Sequence, residues 1–126
     1  MTIEQVPLLE VRTASGRKSR KNYGMTEAQL LAAVRRLAHY RGFMTYHTRD
    51  SRGSEAGFPD LVMVSATQRR VLFVELKTAT GKTSAAQDAW LAALAAAGAE
   101  VYLWRPADLQ HAIPRTLTTA PPSRTE

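Results

Sequence analysis

Two acidic residues and one lysine flank a pair of short apolar runs near the middle of the chain. Asp60 precedes the run 61–64, and Glu75 and Lys77 close the run that begins at Val71. Both runs are rich in β-branched residues, and a polar link of hairpin length joins them. A hairpin brings Asp60 level with Glu75, and strand alternation points Glu75 and Lys77 to the same face. Two carboxylates beside an ammonium group predict a site for a hard divalent cation with a charge-stabilising group.

A purely structural interpretation of these residues also exists. An acid and a lysine two positions apart at a strand end are most often a solvated ion pair, which contributes little stability. Asp60 follows Pro59 and is therefore also typical of a turn. The ordered combination of Pro-Asp, strand, link, strand and Glu-x-Lys is more specific than any of its parts.

Capping boxes predict a helix on either side of this hairpin. Thr26 and Gln29 open the first helix, which extends to about Tyr40, and Ser84 and Gln87 open the second. Strands are predicted over 42–48 and 101–104. The resulting order is helix, three strands, helix, strand, which indicates an α/β domain. The crossover helix requires the third and last strands to be parallel.

Composition allows a nucleic-acid partner without requiring one. The 126 residues carry a net charge of +6, which favours a polyanionic partner, although a merely basic soluble protein has the same balance. The length fits one domain with a core large enough to fold alone. The absence of cysteine excludes disulfides and thiolate metal sites. No apolar stretch is long enough for a membrane span and no signal region is present, so we expect a cytoplasmic protein.

The two ends of the chain are predicted to be flexible tails around a folded domain over 25–113. Residues 1–24 contain a basic run at 16–21 without apolar periodicity, and residues 114–126 contain three prolines among Ser and Thr. The basic run suits a phosphate backbone, but a solvated tail is the more common case.

The central motif resembles the PD-(D/E)XK nuclease signature, and more closely the virus-type replication-repair nuclease (VRR-NUC) domain. That domain occurs as a small stand-alone protein in phages and bacteria and as a module of larger repair nucleases. The likeness covers roughly residues 26–108 and depends on the segments 57–61, 73–77, 84–87, 90–91 and 101–106. It implies a restriction-endonuclease-like α/β core, with a mixed sheet of about four strands flanked by helices in the order α-β-β-β-α-β.

The resemblance also implies roles for individual residues. Asp60, Glu75 and the backbone carbonyl of Leu76 are expected to bind Mg²⁺ or Mn²⁺, and Lys77 is expected to serve the attacking water. Two further residues have both a structural and a functional interpretation, because each lies at the start of a helix. Glu27 is an ordinary first-turn acid by position, and Gln87 is a capping partner, yet the resembled family places such residues at the metal site and near the catalytic site respectively.

A polar loop over 49–57 leads directly to Asp60 and suits contacts with phosphate groups, although composition alone allows an ordinary solvated loop. His47, at the end of the preceding strand, is a further candidate substrate contact, although a lone histidine more often satisfies a local hydrogen bond. The candidate nucleic-acid-binding residues are His47, Arg49, Ser51, Arg52, Ser54 and Lys82.

The expected function is a metal-dependent DNA endonuclease acting on four-way junctions or other branched DNA in a bacterial or phage-infected cell. The resemblance implies a homodimer, whose two symmetric sites suit a symmetric junction. Two alternatives remain open: a non-catalytic nucleic-acid-binding protein on the same fold, and a sequence-specific restriction-type nuclease.

Overall fold

A computed structural model describes residues 11–12, 24–48 and 53–120. Within these ranges the chain forms one mixed sheet and flanking helices. In chain order the elements are β1 (Val11–Arg12), α1 (Glu27–Tyr40), β2 (Met44–His47), β3 (Leu61–Ser65), β4 (Arg70–Leu76), α2 (Ala85–Ala96), β5 (Glu100–Trp104), a 3-10 helix (Pro106–Leu109) and α3 (Ala112–Thr118). None of the helices in these ranges is both long enough and apolar enough to cross a bilayer.

The strands lie in the order β1-β5-β4-β3-β2. Strands β2, β3 and β4 are antiparallel neighbours, whereas β4 and β5 are parallel because α2 carries the chain back across the sheet. The predicted α/β fold class is confirmed, including the order α-β-β-β-α-β from α1 to β5. The parallel pair predicted for the third and last strands is also confirmed.

The register of the β3–β4 hairpin decides which side chains meet at its open end. Leu61 pairs with Val74 and Ser65 pairs with Arg70. One step beyond the Leu61–Val74 pair, Asp60 comes opposite Glu75, as the sequence predicts. Both helices that flank this hairpin begin at the predicted capping boxes, at Thr26 and Ser84.

The main core lies on one face of the sheet, under α1 and α3. It contains side chains from both helices and from the inward positions of the strands, among them Leu30, Val34, Leu72, Trp104 and Leu117. On the opposite face, α2 packs over β4 and β5 through a smaller cluster. Helices α1 and α2 lie on opposite faces of the sheet. Both begin beside the end of the β3–β4 hairpin that carries Asp60 and Glu75.

The folded part extends beyond both predicted domain boundaries. Residues Val11–Arg12, placed in the predicted N-terminal tail, pair with β5 as a fifth strand. The predicted C-terminal tail is wrong for residues 114–118, because they belong to α3, whose Ile113 and Leu117 are fully buried. Pro114 occupies the first turn of α3, where a backbone N–H has no partner within the helix, so proline is tolerated there.

Candidate active site

Glu75 is the most deeply buried acidic residue described in the chain, with 1% of its surface exposed. Its Oε2 atom accepts a hydrogen bond from Gln87 Nε2 at 2.9 Å. Its Oε1 atom is buried and has no hydrogen-bond partner among the described residues. Burial, and then the nearby charge of Asp60, raise the pKa of Glu75 to about 8, and the Lys77 ammonium opposes the shift.

Asp60 lies immediately before β3 and is fixed by the neighbouring strand. Its Oδ2 atom accepts a hydrogen bond from the backbone N–H of Leu76 at 3.0 Å. This bond ties the start of β3 to the end of β4 and holds the two carboxyl groups beside each other. The proximity predicted from the hairpin is therefore observed.

Lys77 follows the last residue of β4 and points to the same side as Glu75. Its Nζ atom lies 3.6 Å from Glu75 Oε2, and its side chain is 12% exposed. This separation is longer than a hydrogen bond, so Lys77 partly compensates the charge of Glu75 without occupying either of its oxygens. A mostly buried ammonium group beside two carboxylates differs from the solvated surface pair that the structural interpretation requires.

Gln87 makes contacts that fit both interpretations that the sequence leaves open. Its Oε1 atom accepts from the backbone N–H of Ser84 at 2.8 Å, which completes the capping box of α2. Its Nε2 atom donates to Glu75. The two interpretations are compatible because the amide group has an acceptor on one side and donors on the other.

A cleft of about 230 Å³ opens beside Asp60, between the start of α1 and the end of β2. Its lining residues are Glu27, Ala28, Leu31, His47, Asp60 and Leu76. Glu27 and His47 thus border the same cleft as Asp60. Within the ranges that the structure describes, no three acidic or histidine side chains converge closely enough to hold a metal ion. The role of Glu27 at the metal therefore stays a prediction.

The Asp60–Glu75 pair nevertheless fits a divalent cation. A buried carboxylate oxygen without a partner is costly, and so are two adjacent carboxylates that repel each other. A hard cation bound by oxygen atoms relieves both costs at once. Asp60 and Glu75 supply the carboxylate oxygens, and the backbone of Leu76 lies directly beside them.

Only two of the remaining candidate residues belong to the ranges that the structure describes. Arg49, Ser51 and Arg52 lie outside the described residues, so their role stays a prediction. Ser54 and Lys82 are exposed and do not line the cleft.

Arg105 is a site-supporting residue that the sequence analysis does not single out. Its Nη1 atom donates to the backbone oxygens of Thr78 and Gly81, each at 2.7 Å. These bonds hold the loop that connects Lys77 to the start of α2. Gly81 fits tightly into this loop, because a Cβ atom there would lie 2.9 Å from Thr78 Oγ1. Nothing local in the sequence around Arg105 indicates these contacts, which span 24 residues or more.

Gly57 allows the segment before Asp60 to approach α2 closely. Its φ is +93°, in the left-handed region, and a Cβ atom at this position would lie 2.5 Å from the backbone of Ala86. The following residue, Phe58, packs edge-on against Phe73 and Trp90. The first turn of α2 and the chain entering Asp60 are thus held together. Gly57 belongs to the polar loop that the sequence predicts before Asp60, but nothing in the sequence indicates its contact with α2.

Comparison with known proteins agrees with this geometry. The family model described as the VRR-NUC domain matches residues 4–108, which include both strands of the hairpin and all of α2. No curated protein matches the chain. The matched region begins well before residue 26, where the resemblance was expected to start, and so includes β1. The chain belongs to the VRR-NUC domain family and is a nuclease-type domain.

Proposed function

We propose that this protein is a Mg²⁺- or Mn²⁺-dependent endonuclease that hydrolyses phosphodiester bonds in branched DNA, including four-way junctions. The observation that carries the proposal is the pair formed by the buried Glu75 and the half-buried Asp60. This pair leaves Glu75 Oε1 without a partner and has the Lys77 ammonium beside it. VRR-NUC nuclease domains generally depend on a divalent metal, which agrees with this arrangement.

In the proposed mechanism Asp60, Glu75 and the Leu76 carbonyl hold the metal ion. Glu27, which lines the same cleft as Asp60, would reach the metal directly or through water. When bound, the ion supplies Lewis acidity that makes a coordinated water a nucleophile at neutral pH. The Leu76 N–H already orients the Asp60 carboxylate, whose remaining lone pairs would be available to the ion.

Lys77 and Gln87 act on the substrate and on Glu75 respectively. The Lys77 ammonium orients the attacking water or stabilises the negative charge that develops on the phosphate. Gln87 holds Oε2 of Glu75 and leaves Oε1 without a partner, so that Oε1 would be available to the ion. The leaving oxygen is expected to be the 3′-oxygen of a nucleotide, so the products carry a 5′-phosphate and a 3′-hydroxyl.

Selection of branched DNA is proposed to depend on shape and backbone contacts. The chain is basic overall, and its described elements contain no recognisable base-reading insertion. His47 borders the cleft, and the predicted contacts of Arg49, Ser51, Arg52, Ser54 and Lys82 belong to this part of the proposal.

A homodimer is part of the same proposal. Four exposed apolar side chains are close neighbours on one face of the sheet. Met44 pairs with Val64, Val64 pairs with Val71, and Tyr46 lies two residues from Met44. Contiguous exposed apolar surface of this kind often belongs to a protein interface. The substitution Val64→Lys should therefore shift the protein towards monomer in light scattering, whereas Thr67→Lys on the exposed hairpin turn should not.

Cleavage assays with labelled linear duplex, flap and four-way DNA test the central proposal. Each substrate is incubated with the full chain and Mg²⁺, Mn²⁺ or EDTA. We expect metal-dependent cutting with a preference for the branched substrates, and no cutting by Asp60→Asn. Binding without cutting in either metal would support the non-catalytic alternative. Cutting of linear duplex at one sequence would support the restriction-type alternative.

A further inference from the structure

One side of α1 continues the cleft away from Asp60. Glu27 and Leu31 line the cleft, and Arg35 and His39 follow at the same four-residue spacing, which places all four on one face of the helix. Strand β2 shows a similar arrangement of its side chains. His47 lines the cleft, and Thr45 lies two residues earlier on the same face of the strand. Arg35 and His39 therefore lie beyond the cleft, along the border between α1 and β2.

Arg35 and His39 converge on a single hydroxyl group. Arg35 Nε donates to Thr45 Oγ1 at 3.1 Å, and His39 Nε2 lies 3.2 Å from the same oxygen. The bond through Nε fixes the guanidinium plane and leaves its two terminal amino groups, within the described ranges, without a protein acceptor. A fixed guanidinium with free terminal groups matches the two-point geometry that binds phosphate oxygens.

The charges of this region are unbalanced. Between residues 24 and 48 Glu27 is the only acidic residue, whereas Arg35, Arg36 and Arg41 are basic. In the described part of the chain, no carboxylate lies within ion-pair distance of Arg35. Arg35 is therefore not neutralised by the described fold and is available to an external anion. Arg70, in contrast, is buried and paired with Glu100.

We propose that Arg35 and His39 bind a backbone phosphate of the DNA strand that enters the cleft. This inference depends on the proposed function for its substrate, and it adds a contact site that is distinct from the metal-binding acids. Thr45 and His47 are separated by about 6–7 Å along β2. Arg35 contacts Thr45, so the phosphate that it binds is a neighbour of the phosphate in the cleft and not that phosphate itself.

Salt-dependent DNA binding of three variants tests this site. Affinity of the full chain for a labelled duplex is measured in EDTA, where no cutting occurs, over a series of salt concentrations. Arg35→Gln should reduce the slope of log affinity against log salt by about 0.9, the value for one lost phosphate contact. Arg36→Gln is the matched control, because it removes the same charge from the adjacent, exposed position of α1 and should change the slope much less.

Arg35→Lys distinguishes phosphate binding from a purely structural tether. Lysine keeps the charge but loses the Nε bond to Thr45, so the salt slope should remain close to that of the parent protein. If Arg35 serves only to attach α1 to β2, the Lys and Gln variants will lose thermal stability alike and neither will change the slope. That result, or equal slope changes in Arg35→Gln and Arg36→Gln, would overturn the inference. Failure of the parent protein to bind duplex DNA would overturn it as well.

The cleavage assay separates this inference from the proposed function. If the parent protein cuts DNA with metal while Arg35→Gln keeps the full salt slope, only the phosphate site is wrong. If the parent protein binds DNA with the expected dependence on Arg35 and His39 but cuts nothing, the site stands and the nuclease proposal fails. His39→Ala provides the second measurement, with an expected loss of affinity on the same duplex.

Discussion

The side-chain amide of Gln87 joins the start of α2 to the buried carboxylate of Glu75 across 2.9 Å. The same amide accepts from Ser84 N–H, so the position of the helix and the orientation of Glu75 depend on one side chain. The capping box of α2 therefore also helps to fix the orientation of the Glu75 carboxylate.

Substitutions at the two capping positions should separate these effects. Gln87→Ala and Ser84→Ala each remove part of the cap and should each lower the free energy of unfolding by about 1 kcal/mol. Only Gln87→Ala releases Oε2 of Glu75, so only this variant should lower the cleavage rate substantially. Thermal melting and single-turnover cleavage measure the two quantities. Equal cleavage by the two variants would show that the bond to Glu75 has no catalytic consequence.

The raised pKa of Glu75 should make the metal-free protein less stable as the pH rises. In the unfolded chain Glu75 loses its proton near its ordinary pKa of 4.5, whereas in the folded protein it keeps the proton to about pH 8. Between these values the folded state binds more protons, so the free energy of unfolding falls as the pH rises through this window. Urea unfolding in EDTA at several pH values measures this effect.

Glu75→Gln should remove most of that pH dependence, because the amide does not titrate. Glu55→Gln, at an exposed position, is the control and should leave the dependence unchanged. Added Mg²⁺ or Mn²⁺ should restore stability to the parent protein at high pH, since a bound cation favours the ionised carboxylates. A parent protein with equal stability at pH 5 and pH 8 would contradict the environment assigned to Glu75.

Lys77→Ala should lower the rate of cleavage far more than the affinity for metal. An ammonium group is not a ligand for a cation, and loss of one preorganised stabilising group typically costs on the order of a hundred- to a thousandfold in rate. Arg115→Ala removes one positive charge from an exposed position of α3, outside the proposed DNA contacts, and should have a small effect. Single-turnover cleavage and Mn²⁺ titration are the measurements. A Lys77→Ala protein that fails to bind Mn²⁺ would show that its role is assigned wrongly.

Arg105→Ala should release the loop between Lys77 and α2 and so lower the cleavage rate by roughly tenfold or more, since misplaced catalytic groups are costly. Gly81→Ala should act in the same direction, because its Cβ atom would displace Thr78 from the same turn. Arg115→Ala, on the exposed side of α3, is the matched control. The cleavage rates of the three variants, compared at equal folded fraction, test whether Arg105 positions this loop. A normal cleavage rate in Arg105→Ala would exclude that role.

Leu117→Ala should destabilise the protein by about 2–5 kcal/mol, the usual cost of emptying a fully buried leucine site. The residue lies beyond position 108, where the family match ends, yet it is completely buried in the main core. Thr119→Ala, two residues later and exposed, should change stability little. Chemical denaturation of both variants is the measurement. A small effect of Leu117→Ala would mean that α3 contributes little to the fold.

Short-range patterns in the sequence were enough to predict the local elements of this protein. Alternation and β-branched residues predicted the β3–β4 hairpin, and its length brought Asp60 level with Glu75. The capping boxes at Thr26 and Ser84 were readable because each depends on bonds between residues three positions apart. Such short-range patterns do not depend on where the rest of the chain lies.

Features that depend on contacts between residues far apart in the sequence are seen only in the folded chain. β1 is two residues long and has no periodicity of its own, so it is recognised only by its pairing with β5. The sequence does not predict α3, because Pro114 and the prolines that follow it are typical of a tail. The position of this helix depends on the burial of Ile113 and Leu117 in the core. The contacts of Arg105 with Thr78 and of Arg35 with Thr45 join separate elements. A side chain's residue type shows which bonds it is able to make, but only the folded chain decides which partner comes within reach.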